Sequence, residues 1–178
     1  EELTEDSAPG DDFLADVCLA WEGATQAAEA AGIRVAHLRF GVVLSAEGGA
    51  LAKLVTPFKL GVGGKIGSGE QYMSWITLDD AVRAVEFLLA RDDLRGPVNV
   101  VAPEPVTNRE LTATLGEILA RPTFFTVPAF GARLAFGEMA DGVLLSSARV
   151  LPKRLQAANF AFAQPRLEGA LRHLLGQR

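Results

Sequence analysis

The segment between Lys59 and Trp75 has a composition that suits the binding of an anionic, ring-containing ligand. Glycine-rich backbone exposes N–H groups that receive anionic oxygens, and this segment contains Gly61, Gly63, Gly64, Gly67 and Gly69. Lys59 and Lys65 supply positive charge for a diphosphate. Gln71 offers a hydrogen-bonding amide, and Trp75 offers a flat face for stacking. Loop flexibility is the alternative explanation of the glycines. The predicted substrate-binding residues of this segment are Lys59, Gly63, Gly64, Gln71 and Trp75.

A second candidate is Arg39-Phe40-Gly41-Val42, inside an apolar run that predicts a buried strand. Ligands of open α/β sheets bind beyond the carboxyl ends of strands, and a glycine lets the backbone approach a ligand closely. Arg39 needs a partner because an unpaired buried cation is costly. A ligand phosphate or a neighbouring carboxylate would serve. We predict that these four residues lie beside a cofactor, with simple packing as the alternative.

A basic cluster lies near the C-terminus, formed by Arg149, Lys153 and Arg154. This cluster either faces a ligand-binding cleft or belongs to a solvated surface. Arg149 is therefore the sixth predicted substrate-binding residue.

The other titratable residues receive structural interpretations. Cys18 is interpreted as a small buried residue on a helix face rather than an active thiol. Asp79 and Asp80 suit a helix N-terminus and predict no metal site. His37 and His173 stand far apart and alone, which argues against a metal site or a catalytic triad. Because the chain has one cysteine, an internal disulfide is excluded and a thiolate metal site is not expected.

The carboxylates of Asp16 and Glu22 share a predicted helix. They either supply a carboxylate to a site or lie on a solvated helix face. The second interpretation is preferred.

Composition narrows the class of protein. The chain has 178 residues, 49% hydrophobic and 22% charged, with a net charge of −5. Nucleic-acid binding needs clustered basic residues, so a nucleic-acid partner is not expected. No apolar run reaches the roughly 18 residues of a membrane span. The single cysteine indicates a reducing cytoplasm.

The spacing of apolar residues predicts alternating helices and strands through residue 128, which indicates an α/β fold with a largely parallel sheet. Helices are predicted from Asp11-Asp12 to Gly32, over about 50–58, after Thr77, and from Thr107 to about Ala120. Strands are predicted at 35–44, 72–76, 98–101 and 124–127.

Two helix starts resemble capping boxes, at Thr77 with Asp80 and at Thr107 with Glu110. In the helix after Thr77, one set of apolar residues is predicted to form the buried face. Its members are Ala81, Val82, Val85, Leu88 and Leu89.

The pattern changes after residue 128. Short helices, with Pro152 and Pro165 in first turns, predict a small, mainly helical C-terminal region at 129–178. The division is therefore an α/β lobe at 1–128 and this region, and the family resemblance described next implies that the first is the C-terminal part of a Rossmann-like, substrate-binding lobe.

Five segments in order resemble a known family: 34–44, 48–64, 67–80, 96–108 and 149–171. They are similar to the nucleoside-diphosphate-sugar epimerase-like proteins of the atypical, extended short-chain dehydrogenase/reductase superfamily, in the branch of SulA-like epimerase family proteins. The resemblance implies the C-terminal part of a Rossmann-like doubly wound parallel sheet. It also implies NADP or NAD as cofactor. The glycine-rich phosphate loop that opens such proteins is absent here, since Gly61-x-Gly63-Gly64 has the wrong spacing for it.

The superfamily reaction uses a Tyr-x-x-x-Lys pair on one helix. Aligning Glu22 with the glutamate of that helix puts Leu14 at the tyrosine position and Cys18 at the lysine position, and neither can transfer the proton. The chain's one tyrosine, Tyr72, is followed four residues later by Ile76. The catalytic base is therefore unassigned.

Two functions are the main alternatives, and an interaction module in which 129–178 docks a partner is a third. The first is an NAD(P)-dependent nucleoside-diphosphate-sugar epimerase-like oxidoreductase that acts on a small molecule, with a nucleotide-sugar as the implied substrate. The second is a catalytically silent NADP(H)-binding regulatory protein, for example one linked to cell division. The expected assembly is a homodimer or an association with the missing N-terminal half, and no membrane partner is expected.

Overall fold

The strands of this chain are short and mostly parallel. A computed structural model of the chain describes residues 1–128, 130–131 and 146–177. Its strands are β1 (Glu2–Leu3), β2 (Ala36–Phe40), β3 (Val42–Leu44), β4 (Gly64–Ile66), β5 (Tyr72–Met73), β6 (Trp75–Thr77), β7 (Gly96–Val100), β8 (Val106–Thr107), β9 (Phe125–Val127) and β10 (Arg149–Val150). Within the described ranges, β1–β10, β2–β7, β3–β6 and β4–β9 pair in parallel and β5–β8 pairs antiparallel. The predicted α/β fold with a largely parallel sheet is confirmed.

Helices separate these strands. They are α1 (Phe13–Gly23), α2 (Gln26–Ala30), α3 (Gly49–Lys59), α4 (Leu78–Leu89), α5 (Asn108–Ile118), α6 (Lys153–Ala157) and α7 (Leu167–Leu175). The single helix predicted up to Gly32 is interrupted after Gly23, where the Thr25 hydroxyl donates to the Glu22 carbonyl oxygen. A side chain that bonds to nearby backbone competes with the helical pattern, which explains the break.

The strand that carries Arg39 changes partner at Gly41. The Gly41 N–H donates to the Val100 carbonyl of β7, and the next N–H, of Val42, donates to the Ser74 carbonyl before β6. A Cβ on Gly41 would lie 2.6 Å from the Ser74 oxygen and 2.7 Å from Val101 Cγ1. Only glycine fits where these segments converge.

The other edge of β2 is open in the described part of the chain, where β2 pairs only with β7. The Gly41 N–H donates to Val100, and the Gly96 N–H donates to the Val35 carbonyl. The backbone groups of odd-numbered residues therefore face β7. Those of Leu38 and Phe40 point to the open edge.

Two apolar clusters hold the elements together. The first joins α3, α5 and α7 around Leu51, Leu115 and Leu171, with Trp75 of β6. The second joins β7 and α4 to α6 through Val98, Ala84 and Leu155. Each cluster contains residues from both sides of the predicted boundary at residue 128.

The C-terminal region is tied to the rest of the chain by buried polar groups. Asp80 is fully buried, and its carboxylate accepts from the Ala163 and Gln164 N–H groups at 2.9 and 2.8 Å. It also accepts from Arg83 Nη1 at 2.6 Å. The boundary between two lobes stays a prediction, and residues 129, 132–145 and 178 of the second lie outside the described residues.

Of the two predicted capping boxes, one is complete. Thr107 Oγ1 accepts from the Glu110 N–H, and Glu110 Oε2 accepts from the Thr107 N–H. Thr77 Oγ1 likewise accepts from the Asp80 N–H at 3.2 Å. The second bond of a capping box, from the Thr77 N–H to the Asp80 side chain, was wrongly predicted. The Asp80 carboxylate bonds to the C-terminal segment instead.

The predicted buried face of α4 is partly wrong. Ala81 and Leu88 are buried, but Val82 is 49% and Leu89 71% exposed. The buried side of the helix runs through Asp80, Ala81, Ala84 and Leu88. Small residues on that side let the helix approach the strands closely, and a second apolar side is left uncovered.

Candidate functional site

A cleft of about 650 Å³ lies on the α1 side of the β2–β7 pair. Arg39 and His37 point to this side, since they contact Glu22 of α1 and Thr25 just after it. Asn99 is in register with Arg39 and shares its face. The remaining wall is the N-terminal segment 3–10. This volume is typical of small-molecule sites.

A bidentate ion pair crosses the cleft. Arg39 Nε and Nη2 donate to the two carboxylate oxygens of Glu22, each at 2.7 Å. These hydrogen bonds lower the pKa of the Glu22 carboxyl below its usual value and raise the pKa of Arg39. The predicted need of Arg39 for a partner is thus met by a neighbouring carboxylate. The interpretation of Glu22 as a solvated side chain is wrong, since its side chain is 23% exposed and bonded to Arg39.

His37 joins this ion pair to α2. Its Nε2 lies 2.8 Å from Thr25 Oγ1, and its Nδ1 lies 4.0 Å from Glu22 Oε2. The contact with Thr25 orients the imidazole through Nε2. His173, in contrast, contacts Asp79 at 3.1 Å on the surface. Among the described residues, no group of three or more His, Cys, Asp or Glu is placed to hold a metal ion.

Three of the four predicted cofactor-binding residues line the cleft. Arg39, Phe40 and Gly41 line it, and the Phe40 side chain is 48% exposed. Val42 instead packs against the first apolar cluster. The close approach at Gly41 is to the protein's own backbone. A cofactor contact at these four residues stays a prediction.

Helix α1 forms the other side of the cleft and is held loosely. None of its residues is buried, and Phe13 and Trp21 are 77% and 73% exposed. Asp12 caps it by accepting from the Ala15 N–H at 2.8 Å. Cys18 is exposed and lines the cleft, so the interpretation as a buried residue is wrong. The row of apolar residues on α1 has no covering element among the described residues.

The six predicted substrate-binding residues do not line the cleft. Trp75 is fully buried, and its indole N–H donates to the Glu104 carbonyl at 3.0 Å. The predicted stacking face is therefore wrong, since no part of the ring is accessible. Gln71 Nε2 donates to the Ile66 carbonyl at 3.0 Å. Lys59 ends α3, where its carbonyl accepts from Arg121 Nε.

The glycines between 61 and 69 serve the folding of their own segment. A Cβ on Gly64 would lie 2.0 Å from the Phe125 carbonyl oxygen, and one on Gly63 2.4 Å from the Phe58 ring. The N–H groups of Gly61, Gly67 and Gly69 donate to backbone carbonyls nearby. At Gly61, Gly67 and Gly69 the N–H groups are therefore not free to receive anionic oxygens. A substrate contact by Gly63 or Gly64 stays a prediction.

Arg149 lies outside the cleft, beside Tyr72. Its guanidinium carbon is 5.2 Å from the Tyr72 ring centroid, and Nη2 is 3.2 Å from Glu2 Oε1. The neighbouring Val150 lines the cleft. A substrate contact by Arg149 stays a prediction.

Sequence reasoning missed Glu5. It lies in a segment predicted as a surface loop, yet it is 5% exposed. Its Oε1 accepts from the Asn99 and Arg154 N–H groups at 3.1 and 3.2 Å. It therefore fixes the N-terminal wall of the cleft to β7 and α6. A single acid in a polar segment gives no sequence signal for such a position.

One family model matches the C-terminal part of the chain. Residues 127–174 match the Domain of unknown function (DUF1731).

No described helix is both long and apolar enough to cross a membrane.

Longer proteins match almost the whole chain. The epimerase family protein Mb2239 of Mycobacterium bovis is 46% identical over 160 residues, which are 90% of this chain and 53% of that protein. The epimerase family protein YfhF of Bacillus subtilis is 39% identical over 99% of this chain and 58% of its own length. The chain thus spans about half the length of the curated relatives it matches.

Solved structures share the fold. The human epimerase family protein SDR39U1, solved with NADPH, superposes with a TM-score of 0.87 at 34% identity, covering 100% of this chain and 60% of that one. The nucleoside-diphosphate sugar epimerase of Corynebacterium glutamicum gives 0.81 at 38% identity, covering 99% and 34%. The fold described above is thus the C-terminal part of a longer, Rossmann-like fold.

Proposed function

Because this chain belongs to the epimerase family proteins, of which it spans about half, we propose that it forms the substrate-side lobe of an NADP(H)-dependent oxidoreductase of the short-chain dehydrogenase/reductase type. The observation that carries the proposal is the cleft beside α1, at the carboxyl end of β2. Ligands of doubly wound sheets bind at such ends. The reaction is a reversible hydride transfer at an alcohol carbon of a small molecule. A nucleotide-sugar is the substrate that the name of the Corynebacterium glutamicum neighbour suggests.

The described residues fit one end of the cofactor. Phe40 lines the cleft at the end of β2 and is 48% exposed, which leaves it accessible to the nicotinamide end of the cofactor. When bound, NADP(H) supplies or accepts the hydride. The described chain has no strand–glycine loop–helix unit for the diphosphate, which such folds hold at a helix N-terminus. That part of the site belongs to the dinucleotide-binding half of the family fold.

The proposed partner of this lobe is that dinucleotide-binding half. The open edge of β2 offers unpaired backbone groups, and exposed strand edges pair readily with another strand. Leu38 of β2 packs on the cluster that contains α4, whereas Arg39 contacts α1. The two helices therefore cover opposite faces of β2, and each leaves large apolar side chains uncovered, such as Trp21 and Leu89. A further set of strands and helices would cover both.

A catalytically silent, NADP(H)-binding regulatory protein is the second candidate. It is favoured by the residues at the expected catalytic positions, Leu14 and Cys18, neither of which replaces a tyrosine–lysine pair. The titratable groups that line the cleft are Cys18, Glu22, His37 and Arg39. The two functions differ in turnover and share cofactor binding.

The test uses the family-length protein, in which a dinucleotide-binding half precedes this chain. NADPH binding is followed by its fluorescence, and turnover by absorbance with candidate alcohols and carbonyl compounds. We expect saturable NADPH binding, weakened on the order of tenfold in Phe40→Ala, which corresponds to about 1.4 kcal/mol. Phe124→Ala is the control, since Phe124 is 90% exposed and lies outside the cleft. Absence of NADPH binding contradicts the proposal, and binding without turnover favours the second candidate.

A further inference from the structure

We propose that Glu5 is a positioning residue that couples the C-terminal region to the ligand in the cleft, so that ligand binding and docking of that region favour each other. The inference rests on the proposed function, since NADPH is the ligand that tests it. It gives the residues that match the Domain of unknown function the task of holding one wall of the cleft in place for binding.

Glu5 joins two distant segments through a buried carboxylate. It is 5% exposed, and its Oε1 accepts from the N–H of Asn99 in β7 at 3.1 Å and from the N–H of Arg154 in α6 at 3.2 Å. Asn99 adds a third bond, because its Nδ2 donates to the Leu151 carbonyl at 3.0 Å. Separation of these segments would leave buried polar groups unpaired, which costs free energy. The contacts are made within this chain, so they do not depend on which outer surface the dinucleotide-binding half covers.

The segment that carries Glu5 is a closed turn in the wall of the cleft. Ser7 Oγ accepts from the Thr4 N–H at 2.8 Å, and the Ser7 N–H donates to the Thr4 carbonyl at 3.2 Å. Thr4 and Ser7 both line the cleft. Just before the turn, the Leu3 carbonyl accepts from the Leu151 N–H at 2.9 Å. The C-terminal segment therefore supports this wall at two points, Leu3 and Glu5.

Glu5 also acts on Arg39 through its charge. Arg39 is bonded to Glu22 of α1. The pKa of Arg39 is raised chiefly by these hydrogen bonds, and to a smaller extent by neighbouring negative charges that include Glu5. Two carboxylates, one in the wall and one on α1, thus attract the same guanidinium. A displacement of the wall changes the field at Arg39 as well as the shape of the cleft.

A ligand that fills this cleft contacts the wall and the face of β2 together. Such a ligand binds more tightly when the wall is docked than when it is released, and the same factor then favours docking once the ligand is bound. Release of the wall breaks the bonds of Glu5 to Asn99 and Arg154. The N–H groups of those two residues therefore report whether the wall is docked.

The experiment measures hydrogen exchange of the Asn99 and Arg154 amides in the family-length protein, with and without saturating NADPH. We expect NADPH to slow exchange at both by about fivefold or more. The reference is the amide of Leu115, which is buried in α5 and outside the cleft and should change much less. The inference is overturned if NADPH leaves exchange at Arg154 unchanged, or slows it equally at Leu115. Absence of NADPH binding would overturn the proposed function itself.

Variants of two neighbouring carboxylates separate positioning from general stability. Glu5→Ala removes the acceptor, so it should weaken NADPH binding by about fivefold or more and abolish the effect of NADPH on the Arg154 amide. Glu5→Gln keeps an acceptor oxygen for the same two bonds and should bind NADPH within about threefold of the unmodified protein. Asp6→Ala is the control. The Asp6 side chain is 85% exposed and lies 3.4 Å from Arg154 Nη2, and its loss should leave both measurements unchanged.

Two results with these variants would contradict the coupling. One is equal NADPH affinity of Glu5→Ala and Asp6→Ala. The other is a loss of affinity in Glu5→Gln as large as that in Glu5→Ala. If Glu5→Ala does not fold, exchange at Arg154 in the unmodified protein decides.

Discussion

Gly41 illustrates how one residue sets the geometry of the candidate site. It is the point where the strand leaves β7 and meets β6, and the close approach of Ser74 and Val101 leaves no room for a Cβ. A glycine at a strand end suggested a ligand contact from the sequence. The structure gives it a packing role, beside Ser74 and Val101.

Gly41→Ala is expected to destabilise the fold by about 1–3 kcal/mol, because the added methyl group overpacks a tight contact. The measurement is urea unfolding followed by circular dichroism. The matched control is Gly48→Ala, since a Cβ at Gly48 meets nothing within 4 Å and its φ of −176° suits any residue. Equal midpoints for the two variants would show that the contact at Gly41 is not tight.

The Glu22–Arg39 pair predicts a dependence of stability on pH. The pKa of Glu22 is lowered in the folded state by its hydrogen bonds to Arg39. The stabilisation is therefore full above the usual glutamate pKa and is lost as the pH falls through the lowered folded value. Glu22→Gln should lower Tm near neutral pH, and the difference from the unmodified chain should shrink as the solution becomes acidic.

The control for this series is Glu29→Gln on the exposed side of α2. It should change Tm little at any pH. A Tm difference between Glu22→Gln and the unmodified chain that persists at low pH would mean that the carboxylate charge is not the source of the stabilisation.

Asp80 ties helix α4 to the C-terminal segment. Asp80→Asn removes the charge from a fully buried group that accepts from Arg83, Ala163 and Gln164. The Arg83 side chain is 43% exposed, so the main cost is that of poorly satisfied buried hydrogen-bonding groups, about 1–3 kcal/mol. Thermal or urea unfolding measures it.

Asp79→Asn is the matched control for Asp80. Asp79 is 61% exposed on its side chain and contacts His173, and exposed pairs contribute about 0–1 kcal/mol. If both variants were equally stable, the buried carboxylate would not hold the C-terminal segment.

At the scale of elements, the starts of several helices could be predicted from the sequence because they depend on local chemistry, whereas the break of the first helix after Gly23 was missed. The capping box at Thr107 and Glu110 needs only the backbone of one turn. The buried face of α4 could not be predicted as well. Its apolar residues cover a wide arc that includes Ala84 and Val82, and which side is buried depends on the partner element. The sequence carries no local signal of that partner.

The same contrast between local chemistry and contacts across elements applies to the candidate site. A partner for Arg39 could be predicted from its place in an apolar strand, although its side chain is 40% exposed. The identity of that partner as Glu22 depends on how α1 crosses β2. The glycines of the 61–69 segment have a composition that suits both ligand binding and tight packing. The contacts of Gly63 and Gly64 with Phe58 and Phe125 decide for packing, and such contacts across elements are not visible in a single sequence.

At the scale of the whole molecule, the C-terminal region is part of the same fold as the lobe before it. Leu155 belongs to the second apolar cluster and Leu171 to the first. β10 pairs with β1, and the Arg154 N–H bonds to Glu5. The residues matched by the Domain of unknown function thereby position the N-terminal wall of the cleft.

The most direct test of the account is hydrogen exchange of two backbone amides, those of Leu38 and Phe40, in the family-length protein. They face the edge of β2 that is open in the described chain, where we propose that the dinucleotide-binding half docks. We predict that both exchange as slowly as the Val98 and Val100 amides of β7, and that added NADPH slows exchange at Phe40 further. Exchange at Leu38 and Phe40 as fast as in the exposed 8–11 segment, with or without NADPH, would contradict the claim that this chain is one lobe of a shared cofactor site.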